Sequence, residues 1–239
     1  KLRNTAPDRL ILPVVNDGAE NEYLQRYTRV FPGKPLKGKK IVVYEQSTVG
    51  WDLLVNVLEQ LGAEVIREGR SAAFIPIDTE NITPENLAYF KKLAEKHKPD
   101  AIVSGDGDFD RPLVIDAQGR FYRGDVLGLV VAKALNVDFA AVPISANDIV
   151  RDELKKAGIE MRQTKIGSPY VARAMQGAEA RGRKRVCSWE VNGGFLLQTP
   201  IIVNGERLEP LPTRDALLPI LTVLTQAADR NVPVEQLFN

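Results

Sequence analysis

Three aspartates stand at alternate positions in a glycine-bearing stretch, Ser104-Gly105-Asp106-Gly107-Asp108-Phe109-Asp110-Arg111-Pro112. Folded as a loop, that spacing lets all three carboxylates point inward. At about 4 Å and an effective dielectric near 20, each like-charged pair costs on the order of 4 kcal/mol. Such a cluster requires a cation or a raised pKa. A hard divalent ion with oxygen ligands meets the requirement, and Mg2+ keeps coordination positions for water or a substrate phosphate. The stretch follows the apolar run Ala101-Ile102-Val103, and the carboxyl end of a parallel strand is where α/β sheets bind ligands. The bland reading, a solvated acidic turn, accounts less well for the glycines and for Arg111 beside the carboxylates. Other loop types fail on spacing. A calcium EF-hand needs Gly at 111 and Glu at 117, where Arg111 and Ala117 stand. A dinucleotide loop needs a third glycine at 110, the position of Asp110. An aspartyl-phosphate phosphatase pattern, which wants Thr or Val at that same position, stays as a distant alternative.

Two further stretches carry weaker signals. In Trp189-Glu190-Val191-Asn192-Gly193-Gly194-Phe195, a Glu and an Asn beside a turn can bracket neighbouring sugar hydroxyls. A hairpin with a Gly-Gly turn is the commoner meaning of such a string. In Lys165-Ile166-Gly167-Ser168-Pro169, a strand passes into a helix whose first amides could face an anion. Gly33 to Lys40 nearly matches a P-loop, but Lys40 replaces the Ser/Thr and the segment precedes a strand. Arg123-Gly124-Asp125 reads as a helix start, Arg181 to Arg185 as a solvated loop, and His97 as a structural residue at a helix end.

The elements that must position these residues alternate along the chain. Residues Arg9 to Val15 form an apolar run before a turn at Asn16-Asp17-Gly18. Helical spacing covers Glu20 to Phe31 and ends at Pro32-Gly33. Strands are expected at 41–44, 63–66 and 101–103, with helices at 51–61 and 84–97 between them. Gly62 suits a helix C-terminus, and Thr83-Pro84-Glu85 suits a helix start. The pattern then restarts: helices at 124–135, 147–157 and 169–180, strands at 139–142, 160–164, 185–190 and 194–198. A last helix is expected from Thr213 to Ala228, kinked or delayed by Pro219. Such alternation is the mark of parallel α/β layers. With 239 residues, two tandem three-layer α/β/α domains with mostly parallel sheets are expected, divided between Val142 and Ser145.

Composition narrows the function. Thirty-two Lys and Arg against 31 Asp and Glu leave a net charge of +1, so no field draws the chain to nucleic acid. A hydrophobic share of 44% with little net charge argues against disorder. One Cys and one His rule out a disulfide within the chain and a Cys/His zinc site. No run approaches the roughly 20 apolar residues of a membrane helix, and KLRNTAPDRL lacks a signal-peptide core. A cytoplasmic protein with no membrane partner is expected.

Taken in order, the three loops resemble those of the α-D-phosphohexomutase superfamily, in its phosphomannomutase/phosphoglucomutase branch. The segment DGDFDR (Asp106 to Arg111) resembles the family's D-G-D-x-D-R metal loop, the most specific of the three. KIGSPYV (Lys165 to Val171) is similar to a K-x-G-H-like segment, and WEVNGGF (Trp189 to Phe195) to a G-E-x-S/N-G-G/H sugar loop. Arg214-Asp215-Ala216 looks like the start of the helix that follows. The resemblance covers nearly the whole chain. It implies Asp106, Asp108 and Asp110 as Mg2+ ligands and Arg111 facing the phosphoryl group. It implies Glu190 and Asn192 at the sugar 3- and 4-hydroxyls, with Lys165 and Ser168 as further substrate contacts. Ser168 stands where many members have His.

The resemblance also sets expectations for the whole protein. Residues 37–143 would form an α/β domain with the metal loop and 144–239 one with the sugar loop. Residues 1–36 would be the tail of a preceding domain and a linker helix. The chain starts at Lys1 and none of its serines precedes a His. A phosphoserine domain before it, and a fourth domain after Asn239, are therefore expected outside it. The implied activity is Mg2+-dependent intramolecular phosphotransfer between hexose 1-phosphate and 6-phosphate. The substrate is mannose or glucose phosphate, and phosphomannomutase is the first expectation. The 239 residues alone are expected to be inactive. The reading from a different class is a catalytically silent sugar-phosphate-binding module of the same fold.

Overall fold

The computed structural model describes Val14 and residues 18–238. Most of the apolar run at 9–15 and of the turn after it lie outside the described residues. In the first sheet, β1 (Lys40–Tyr44) lies between β2 (Glu64–Glu68) and β3 (Ala101–Gly105) and is parallel to both. The apolar runs are unbroken because both faces of the sheet are covered. Ile41 and Val43 face one core, Val42 and Tyr44 the other. The crossovers are α2 (Trp51–Gln60) and α3 (Pro84–His97). Gly62 after α2 takes a left-handed φ of 91°. The Thr83 hydroxyl caps α3 by accepting from the Asn86 amide, with Pro84 in the first turn. β4 (Pro112–Asp116) pairs antiparallel with β3 at the sheet edge.

The second sheet runs β11-β8-β7-β5-β6. Its parallel part is β5 (Phe139–Pro143), β6 (Glu160–Thr164) and β7 (Val186–Trp189). β8 (Phe195–Leu197) and β11 (Leu211–Asp215) extend it antiparallel. β9 (Ile201–Val203) and β10 (Glu206–Leu208) form a separate ribbon, turned by Asn204 and Gly205 at positive φ. The helices are α4 (Gly124–Ala134), α5 (Asp148–Lys156), α6 (Ser168–Ala180) and α7 (Leu217–Asp229), with α1 (Gly18–Val30) preceding the first sheet.

Three clusters of buried side chains define the layers. Phe90, Leu93 and Ala94 of α3 cover the outer face of the first sheet. Val171, Ala174, Met175 and Ala178 of α6 cover the outer face of the second. Between the sheets, α1, α2, α4, α5 and α7 join the inner face of each in one continuous core. The two α/β/α units thus share their inner layer, and α7, buried from Leu217 through Thr225, carries only Thr222 and Thr225 as polar residues over that stretch because it lies inside.

Several expectations are corrected. β4, β9, β10 and β11 were not expected, because all four pair only at a sheet edge or in a ribbon. Residues 213–215 belong to β11, and the last helix begins at Leu217. Pro219 then falls in the first turn, where its missing N–H costs no hydrogen bond. Arg214 and Asp215, read as a helix start, end β11. β5, placed by the sequence reading at the end of the first unit, is hydrogen-bonded within the second sheet.

Asp215 explains how α1 is held. Its carboxylate is buried and accepts from the Tyr23 hydroxyl at 2.5 Å, from the Tyr27 hydroxyl and from the Leu217 amide at 2.9 Å. Burial pushes its pKa above the carboxylate range, against the donors that lower it. Tyr27→Phe removes one donor to a buried acceptor and is expected to cost about 1–3 kcal/mol. Urea unfolding measures this; an unchanged midpoint and slope would mean that the contact does not clamp α1.

Candidate functional site

The aspartate loop is the connection of the β3–β4 hairpin. Gly105 faces Pro112 across the ladder, and the Asp106 amide donates to the Arg111 carbonyl at 3.0 Å. Inside the loop, Asp106 Oδ1 accepts from the amides of Asp110 and Arg111, each at 3.1 Å. Phe109 takes a φ of 60°, and its ring lies on Gly50 and Gly105. A Cβ at those glycines would come within 2.1 Å and 2.3 Å of the ring, so their lack of a side chain seats it. One aspartate and one ring therefore fix the loop, and all three carboxylates converge.

Asp106, Asp108 and Asp110 each offer an oxygen within 4.8 Å of the others. Burial, with repulsion from Asp108 and Asp110, raises Asp106 to about 6, although the Arg111 amide opposes the shift. Burial also raises Asp110, outweighing the nearby Arg214. Arg111 Nε sits 3.5 Å from both Asp106 Oδ2 and Asp110 Oδ1. Neither that Nε nor Asp110 Oδ1 has a hydrogen-bond partner, and both atoms are buried. An all-oxygen donor set with an unsatisfied buried carboxylate oxygen fits a hard divalent cation.

The Trp189–Phe195 stretch is a hairpin, as its glycines imply. Trp189 is fully buried against Gly128, where a Cβ would fall 2.2 Å from the indole. Its Nε1–H donates to the Asp125 carbonyl at 3.0 Å. The turn rests on the start of α4: a Cβ on Gly124 would lie 2.1 Å from the Gly193 nitrogen. From the first unit, the Thr79 hydroxyl donates to the Asn192 carbonyl at 3.0 Å. The hairpin is thus held from both units.

Glu190 is buried and accepts from the Ser168 hydroxyl at 2.9 Å. Arg214, at the end of β11, spans the two loops: Nη2 is 2.6 Å from Asp110 Oδ2 and Nη1 is 3.6 Å from Glu190 Oε2. Asp110, Ser168 and Arg214 line one cavity of about 360 Å3. Asp106, Asp108, Asp110, Arg111, Ser168 and Glu190 are therefore brought together. Asn192 is engaged by its own turn, Oδ1 accepting from the Gly194 amide at 3.0 Å and Nδ2 donating to Glu80 at 3.4 Å. Lys165 lies apart, over Tyr170 and in a second cavity with Arg162 and Arg173. Arg214 was missed because assigning Thr213 onward to a helix hid an edge strand that faces both loops. His97 contacts Glu68 at 2.6 Å, and Arg181 and Arg183 pair with Glu160, in keeping with structural roles.

Two family models match the chain. One, for phosphoglucomutase/phosphomannomutase alpha/beta/alpha domain II, covers residues 21–119; the other, for domain III, covers 123–239. A phosphomannomutase of Sinorhizobium fredii is 42% identical over 216 residues, 90% of this chain and 45% of the relative. One of Salmonella muenchen is 41% identical over 214 residues, 90% and 44% of the two chains. The chain spans less than half the length of these relatives. A Burkholderia thailandensis structure described as a phosphoglucomutase/phosphomannomutase family protein aligns with a TM-score of 0.72 over 92% of this chain and 46% of its own, at 17% identity. That likeness concerns the fold.

The contact between α4 and the hairpin yields a prediction. In Gly124→Ala the new methyl meets backbone, which cannot rotate away, so a loss of about 1–3 kcal/mol is expected. Stability measured by denaturant and equal to that of the wild type would show that the turn does not rest on α4.

Proposed function

The chain belongs to the phosphoglucomutase/phosphomannomutase family, and from that premise we propose that it supplies the metal loop and the sugar loop of a phosphohexomutase. The activity of the whole protein, in this reading, is that of a phosphomannomutase, interconverting hexose 1-phosphate and 6-phosphate. The carrying observation is the convergence of three carboxylates on a hairpin that Arg214 joins to Glu190. Identities of 42% and 41% to phosphomannomutases support mannose over glucose.

Asp106, Asp108 and Asp110 would hold Mg2+. When bound, that ion would neutralise charge on a phosphoryl group during transfer. Arg111, already against two of the carboxylates, would add a fixed positive charge to the same group. Glu190, which accepts from the Ser168 hydroxyl and lies 3.6 Å from the Arg214 guanidinium, would accept from sugar hydroxyls and fix the ring. The phosphoryl donor would be a phosphoserine outside these 239 residues, on the length of the relatives that the chain does not span. A cytoplasmic setting is supported by the single cysteine, Cys187, which is buried. Among the described residues no helix is long and apolar enough to cross a membrane.

The test uses a protein that carries this chain together with the remaining length of its relatives. With mannose 1-phosphate and the 1,6-bisphosphate activator, Glu190→Gln is expected to lower kcat/KM about tenfold or more. An unchanged kcat/KM would remove Glu190 from the sugar site.

A further inference from the structure

We propose that Arg214 is a positioning residue that ties the metal loop to the sugar loop, and that a divalent cation entering the aspartate cluster displaces its hold on Asp110. The inference rests on the metal-loop reading above and concerns a residue that neither loop motif contains.

The backbone around Arg214 has little freedom. Neighbouring strand residues point to opposite sides, and Asp215 is locked in the interior by Tyr23 and Tyr27. Arg214 must therefore emerge on the site face. Its stem lies on Gly194, where a Cβ would come within 2.8 Å of its Cδ. What remains variable is the guanidinium, shared between Asp110 at 2.6 Å and Glu190 at 3.6 Å.

The same carboxylates are claimed by two guanidinium groups. Arg111 approaches Asp106 and Asp110 only to 3.5 Å, whereas Arg214 makes the short contact to Asp110 Oδ2. A cation among the three aspartates is repelled by both, and it competes directly with Arg214 for Asp110. Once released, the guanidinium still reaches Glu190 and the cavity lined by Asp110, Ser168 and Arg214. There it can meet an anionic group of a sugar phosphate. Metal occupancy and the sugar loop are thereby coupled, and the coupling is reciprocal.

The experiment is a calorimetric titration of Mn2+ into the 239-residue chain at low ionic strength. The wild type is expected to bind one ion, and Asp108→Asn to weaken it. Removing the competing charge in Arg214→Gln is expected to tighten Mn2+ about tenfold. Arg214→Lys, which keeps the charge, is expected to stay near wild type. In an Asp110→Asn background, Arg214→Gln should lose most of its effect, since the shared carboxylate is gone. Gly194→Ala, which pushes the stem aside without touching its charge, gives a second variant should Arg214→Gln fold poorly; it too should tighten binding. Equal or weaker Mn2+ binding in both Arg214→Gln and Gly194→Ala overturns the tether alone. Absence of Mn2+ binding by the wild type overturns the metal-loop reading and the tether with it.

Discussion

Three carboxylates held within 4.8 Å of one another on a six-residue hairpin connection repel, and the structure around them is arranged against that repulsion. The Asp110 and Arg111 amides draw in one oxygen of Asp106. The Phe109 ring, seated on two glycines, keeps the loop from opening. Arg111 and Arg214 bring positive charge from either side. Burial still lifts Asp106 to about 6, and repulsion from Asp108 and Asp110 adds to the shift. The buried Asp110 Oδ1, which has no hydrogen-bond partner, is what the cluster offers a divalent ion.

Both α/β units build the site. The inner helices and one face of each sheet form a single core, which sets the β3–β4 hairpin beside the β7–β8 hairpin. Short-range devices then complete the register. Gly124 lets Gly193 lie against the first turn of α4, and Thr79 reaches across to Asn192. On the far side, α1 grips Asp215 through two tyrosines and so fixes the strand that carries Arg214. Each device has a residue type that its geometry requires: glycine where backbones meet, a hydroxyl where a buried oxygen needs a donor.

Much of this was legible in the sequence because it depends on local pattern. Unbroken apolar runs marked the strands at 41–44, 101–103 and 139–142. Thr83-Pro84 marked a helix start and Gly62 a helix end. The alternating aspartates marked the loop. What was not legible depends on long-range pairing. β4 and β11 are strands because β3 and β8 stand beside them, and Thr213-Arg214-Asp215 by itself carries no such signal. The same blindness concealed Arg214. For Asn192 and Lys165 the structure adds placement: Asn192 bonds within its own turn, and Lys165 lines a cavity with Arg162 and Arg173. A motif names residue types but not the direction in which their side chains point.

The central claim is that the aspartate cluster is a cation site, and diffraction tests it most directly. Crystals of the chain soaked in Mn2+ and measured at the manganese absorption edge should show one strong anomalous peak. The account predicts that peak bonded to an oxygen of each of Asp106, Asp108 and Asp110, with the Arg214 guanidinium withdrawn from Asp110. A peak elsewhere, or none at a saturating concentration, would contradict it.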